Sequence, residues 1–84
     1  MKNERIRLRV LILEDQPLDA ELIEKSLDTP GYVMECARIE TEAGFRAALA
    51  SRPDIVLSDY HLPQFSGLRA LAILRESNPE IPFI

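Results

Sequence analysis

One cysteine, Cys36, and one histidine, His61, are all the chain carries of either residue. A lone cysteine excludes an internal disulfide, and with a single histidine it excludes a zinc cluster of the usual kind. Cys36 has no clear activating neighbour in sequence, so it reads as a small apolar side chain in or beside a strand. No uncharged apolar stretch approaches the length that spans a bilayer. The N-terminus is charged at Lys2, Glu4, Arg5, Arg7 and Arg9, which is not the pattern of a signal peptide, and a cytoplasmic location is expected. Clustered positive charge is scarce as well. The net charge is -4, which argues against direct nucleic-acid contact by this segment. The basic group Lys2, Arg5, Arg7 and Arg9 reads as a solvated rim at the entry to the first strand.

What is present fits one globular domain. The chain has 84 residues and a hydrophobic fraction of 46%, too apolar for a disordered segment. Two apolar runs end in acid. Val10-Leu11-Ile12-Leu13 is followed by Glu14-Asp15, and Ile55-Val56-Leu57-Ser58 is followed by Asp59. Runs of this kind read as buried strands, so each acid sits where a core strand emerges into solvent. If the two strands are parallel neighbours, roughly 5 Å apart, three carboxylates crowd one spot. They then need a proton, a basic residue or a divalent cation to coexist.

Between these runs the pattern alternates. Strands are expected near Arg7 to Leu13, Tyr32 to Arg38, Ile55 to Ser58 and, beginning a fourth, Ile81 to Ile84. Helices are expected from Pro17 to Asp28, after Thr41, and after Ser66. Pro17 suits a first helical turn, Asp19 and Glu21 favour the positive end of the helix dipole, and Glu21 is expected to pair with Lys25 four residues on. Thr29-Pro30-Gly31, Ser51-Arg52-Pro53 and Asn78-Pro79 are stops. Thr41 and Ser66 are candidate N-caps. Strands alternating with such helices indicate a doubly wound parallel sheet of right-handed crossovers, which binds ligands beyond the carboxyl ends of its strands. On the first helix, Leu18, Ala20, Leu22, Ile23 and Leu27 spread over an arc of about 200°. Such a helix is either buried by the sheet and a neighbouring helix, or uses Leu18 and Leu22 to dock a partner.

The segment Asp59-Tyr60-His61-Leu62-Pro63-Gln64-Phe65-Ser66-Gly67, with Glu14-Asp15 upstream, resembles the signature of response regulator receiver domains of two-component signalling systems. The resemblance extends over the whole chain. It implies a flavodoxin-like α/β fold with strand order 2-1-3-4, the fifth strand being absent, so that residues 1–84 form a single, C-terminally incomplete receiver domain. It implies that Asp59 accepts a phosphoryl group from a sensor histidine kinase or a histidine phosphotransfer protein. It implies Mg²⁺ held by Asp15, Asp59 and the main-chain carbonyl of His61, with Glu14 acting through water. His61 is expected to tune how long the phosphoryl group survives. Pro63 and Gly67 are backbone devices, one fixing φ and the other permitting close approach.

The family pattern continues with a switch Ser or Thr and a lysine that have no counterpart here. Lys2 precedes the first strand and Lys25 lies mid-helix. The chain is therefore expected either to be a piece of a longer regulator or to self-associate through the exposed fourth-strand edge. The resemblance implies no enzyme in the ordinary sense, but a protein that takes part in its own phosphotransfer and dephosphorylation. Two other readings stand beside it. One is a receiver-like interaction module independent of phosphorylation. The other is an aspartyl-nucleophile phosphohydrolase, disfavoured because the haloacid-dehalogenase type has a second acid where this chain has His61.

Overall fold

Val10 and Ile12 point to one side of a parallel sheet, and Leu11 and Leu13 to the other. This alternation organises the molecule. The computed structural model describes residues 6–58 and 65–84. In chain order they form β1 (Ile6–Leu13), α1 (Pro17–Ser26), β2 (Tyr32–Ile39), α2 (Glu42–Leu49), β3 (Ile55–Ser58) and α3 (Gly67–Ser77). The strands lie in the order β2-β1-β3, all parallel. Val10 and Ile12 pack with Ala20 of α1, with Ile23 and Leu27 alongside. Leu11, Leu13 and Val56 pack with Phe45 and Leu49 of α2 and with Ala70, Ile73 and Leu74 of α3. β1 is thus covered on both faces, as a run without polar alternation requires.

The expected helix starts hold. Thr41 Oγ1 accepts from the Gly44 amide at 3.0 Å, and Ser66 Oγ accepts from the Arg69 amide at 3.1 Å. Each satisfies one donor that the first helical turn leaves unpaired. α1 opens at Pro17 and ends at Ser26, ahead of Asp28 as expected, with Leu27 as C-cap donating back to Ile23 and Glu24. Gly31, at φ 89°, makes the turn into β2, and its carbonyl accepts from the Ile6 amide at 3.0 Å. Only a residue without Cβ takes that backbone conformation freely. Glu21 and Lys25 form no ion pair, since both side chains stay in water where such a pair gains only about 0.3–0.5 kcal/mol.

The fourth strand expected at Ile81 to Ile84 is a single parallel bridge, Phe83 to Val56. The Val56 amide donates to Pro82 O, Ile84 N to Val56 O, and Ser58 N to Ile84 O, at 2.9–3.0 Å. Pro82 has no N–H to donate, which thins the ladder there. The segment still runs along the free edge of β3, the place the order 2-1-3-4 assigns to it.

Of the basic rim, Arg7 bonds Glu35 at 2.9 Å and Arg9 reaches the Ser51 carbonyl at 2.6 Å, while Lys2 and Arg5 lie outside the described residues. α2 and α3 are tied across their first turns. Arg69 grips Glu42 through two bonds, Nε to Oε1 at 3.1 Å and Nη2 to Oε2 at 3.2 Å, and Arg46 adds a third at 3.1 Å. Hydrogen bonds from Arg69 and then Arg46 hold the Glu42 carboxyl below its ordinary pKa. A depressed folded pKa contributes stability present above the unfolded value and lost as pH falls through the folded one. The coupling between Glu42 and Arg69, measured by a double-mutant cycle in denaturant melts, is therefore expected at neutral pH and should vanish in acid below the usual carboxylate range. For the core, Phe45 is fully buried and its ring centroid lies 5.5 Å from that of Phe65. Phe45→Ala should cost about 3–5 kcal/mol in the same assay.

Candidate functional site at the carboxyl ends of β1 and β3

The register of the two central strands sets the site. Val10 pairs with Ile55, and Leu13 with Ser58. At the amino end, Asp54 locks this register through both its backbone and its side chain. Its amide donates to the Arg9 carbonyl at 2.8 Å, and its Oδ2 accepts from the Arg9 amide at 2.8 Å. At the carboxyl end the two strands stop level. The next residue of one is Glu14 and of the other Asp59. The strands are roughly 5 Å apart, so the ends on which the three acids follow lie at the same rim. Asp59, His61 and Pro63 themselves lie outside the described residues. Gly67 is the first residue of α3, behind the Ser66 cap.

Glu14 is buried, at 5% exposure, and Asp15 is half-buried. Burying a carboxylate is costly unless it is hydrogen-bonded or paired. Among the described residues, three bonds hold Glu14. Its amide donates to the Ile39 carbonyl at 3.1 Å. Its carbonyl accepts from Arg38 Nη1 at 3.3 Å, and its Oε1 accepts from the Gln16 amide at 3.0 Å. The last bond folds the side chain back over the turn that leads into α1. Gln16 in turn accepts from the Ala20 amide at 3.1 Å and caps α1 through its backbone alone. The acidic turn is thereby fastened to β2 on one side and to α1 on the other.

Among the described residues no three His, Cys, Asp or Glu side chains gather as a metal cluster. The expected set needs Asp59 and the His61 carbonyl, which are not among them. Glu14 and Asp15 nonetheless supply oxygen donors, the type a hard divalent cation takes. Beside the tip of β3, a mostly apolar cavity of about 420 Å³ is lined by Ser58, Ser66, Gly67, Leu68, Leu71, Phe83 and Ile84. A second group of acids, Glu21, Glu24 and Asp28, lines a cleft between α1 and β2 together with Lys25. It lies away from the strand tips.

Leu18 and Leu22 are 73% and 64% exposed, while Ala20, Ile23 and Leu27 face the sheet. The wide apolar arc of α1 is therefore split between a packed side and a bare one. Cys36, in β2, is half-buried. Burial first, and the neighbouring Glu24 carboxylate second, push its thiol pKa up, away from reactivity. Among the described residues no helix is long and apolar enough to cross a membrane. Sequence reasoning did not single out Arg38, Gln16 or the Glu42–Arg69 pair. Alternation along β2 could have placed Arg38 on the face of Met34 and Cys36, but nothing local shows that its side chain reaches the β1 turn.

Comparison with known proteins follows this geometry. The family model for the response regulator receiver domain matches residues 10–84. The chain is similar to the probable transcriptional regulatory protein TcrX of Mycobacterium tuberculosis, 36% identical over 75 residues, covering 89% of this chain and 32% of TcrX. It is similar to the transcriptional regulatory protein DltR of Streptococcus agalactiae serotype III, 36% identical over 77 residues, covering 92% of this chain and 34% of DltR. Among solved structures, the response regulator PhyR from Brucella abortus matches with a TM-score of 0.75 at 29% identity, over 96% of this chain and 33% of that one. The chain thus spans about a third of the length of the proteins it matches.

Proposed function

The chain belongs to the response regulator receiver domain family of two-component systems, with its flavodoxin-like sheet, and from this premise we propose that it is the phosphoacceptor of a phosphorelay, with Asp59 as the acceptor. The observation that carries the reading is the level ending of β1 and β3, Leu13 opposite Ser58, with Glu14-Asp15 following one and Asp59 the other. The donor is a phosphohistidine on a sensor histidine kinase or a histidine phosphotransfer protein. An Asp59 carboxylate oxygen attacks phosphorus, the N–P bond of the donor breaks, and an aspartyl phosphate forms. This mixed anhydride is later cleaved by water to aspartate and phosphate. The link is reversible and of high energy, as a transient signal needs. Catalysis of such a transfer is positioning plus charge stabilisation, so the chain acts on its own phosphorylation without being an enzyme toward other substrates.

The residues fit Mg²⁺. The donors are oxygens, one turn supplies two carboxylates, and that turn is tethered on both sides. Asp15, Asp59 and the His61 carbonyl would hold the ion, with Glu14 acting through water. The ion would supply positive charge against the entering phosphoryl group and the carboxylate that attacks it. Glu14 fixes the turn so that Asp15 is presented to the rim. Pro63 and Gly67 would set the backbone that leads from Asp59 to α3. The bare Leu18 and Leu22 face of α1 stands beside this turn as a docking surface for the donor protein.

Incubation with Mg²⁺ and a small acyl-phosphate donor, followed by intact mass, should add one phosphoryl group to the wild type and none to Asp59→Asn. Addition at another residue removes the assignment, and no addition in the full chain leaves an interaction module in its place. His61→Ala should change the hydrolysis half-life of the phosphorylated protein by a few-fold without preventing its formation. An unchanged half-life would leave His61 a solvated loop residue.

A further inference from the structure

Among the described residues, Arg38 of β2 reaches the β1 turn with its side chain. Arg38 is the second-to-last residue of β2, and its ladder partner in β1 is Ile12. Its guanidinium nevertheless reaches past the end of the ladder and donates to the Glu14 carbonyl at 3.3 Å. The other holds on the turn differ in kind. The Glu14 amide bonds the Ile39 carbonyl, and the Gln16 amide bonds Glu14 Oε1, so neither uses a side chain of another element. The Arg38 guanidinium also lies 3.4 Å from the Glu40 carboxylate. That pairing offsets the positive charge that would otherwise repel a cation at the neighbouring Asp15. What remains is mainly a mechanical effect. A planar, multi-donor group can hold a carbonyl and a carboxylate at once.

The geometry points to Arg38 as a positioning residue for the cation site: it holds the Glu14-Asp15 turn in the orientation that presents Asp15 to a divalent cation. This rests on the cation reading of the strand tips given above. It adds a residue from β2 to a site otherwise built on β1 and β3. Removing the tether lets the turn sample orientations that do not bind, and the cation then binds more weakly by the fraction of time lost.

The test is a Mg²⁺ titration of the full chain by NMR, with hydrogen exchange of the Gln16 amide read in parallel. Arg38→Met should weaken Mg²⁺ binding about 3- to 10-fold, the worth of one modest hydrogen bond, and should speed Gln16 exchange. Arg38→Lys, which keeps the charge and one donor nitrogen, should recover part of both. Arg7→Met, which loses an exposed ion pair to Glu35 at the far end of the same strand pair, should leave both unchanged. Should Arg38→Met fail to fold, Arg38→Lys carries the comparison and should still bind more weakly than wild type. Wild-type or tighter Mg²⁺ binding by the Arg38 variants overturns the inference while leaving the cation site intact. Equal weakening by Arg7→Met overturns it too, because the effect would then be general loosening of the sheet. A wild type that binds no Mg²⁺ removes the cation reading and this inference together.

Discussion

Parallel pairing of β1 with β3 in one register is the constraint on which the other features rest. Asp54 and Arg9 lock that register at the amino end through two short hydrogen bonds, and Leu13 meets Ser58 at the other. A slip by one residue would turn Leu11 and Leu13 toward α1 and carry Glu14 out of step with the end of β3. Burial forbids the slip. Both faces of β1 are packed, so every side chain on the strand has an assigned side. The same hydrophobic burial that stabilises the sheet therefore brings the two acidic strand ends to one rim.

The helices complete this frame unequally. α2 and α3 share one face of the sheet and are linked at their first turns by Glu42 and Arg69. Each begins with a side-chain cap, at Thr41 and Ser66. These starts lie toward the carboxyl ends of the strands, so the clamp braces the helix that follows β3. α1 occupies the other face alone among the described elements. It presents Leu18 and Leu22 outward, next to the turn that carries Asp15. One face is braced and the other is open for contact, and the acidic rim lies between them.

Much of this was legible in the chain because it depends on short-range pattern. Val10 to Leu13 and Ile55 to Ser58 are apolar runs that only a sheet covered on both faces can bury. Thr41 and Ser66 stand where capping hydroxyls are needed. The end of α1 falls within the expected bound, because the apolar spacing runs through Leu27 and the Leu27 amide still closes a helical bond to Ile23. Of the beginning fourth strand the structure holds one bridge, Phe83 to Val56, beside a Pro82 that has no N–H for the ladder. Arg38 on Glu14, and Arg69 on Glu42, were illegible for another reason. Each joins residues far apart in sequence, and only the assembled register decides which long side chain reaches which carbonyl or carboxylate. The exposure of Leu18 and Leu22 was left open in the chain for the same cause, since it depends on what else covers α1.

On the proposed function, the two level strand tips gather their carboxylates around one hard cation. Paramagnetic broadening of backbone amide signals by Mn²⁺, titrated in place of Mg²⁺, tests it most directly. Broadening is expected to centre on Glu14, Asp15 and Asp59 at low stoichiometry, with Arg52 and Asn78 at the opposite edge remaining sharp. Broadening centred instead on Glu21, Glu24 and Asp28 in the cleft between α1 and β2, with the strand tips unaffected, would contradict it.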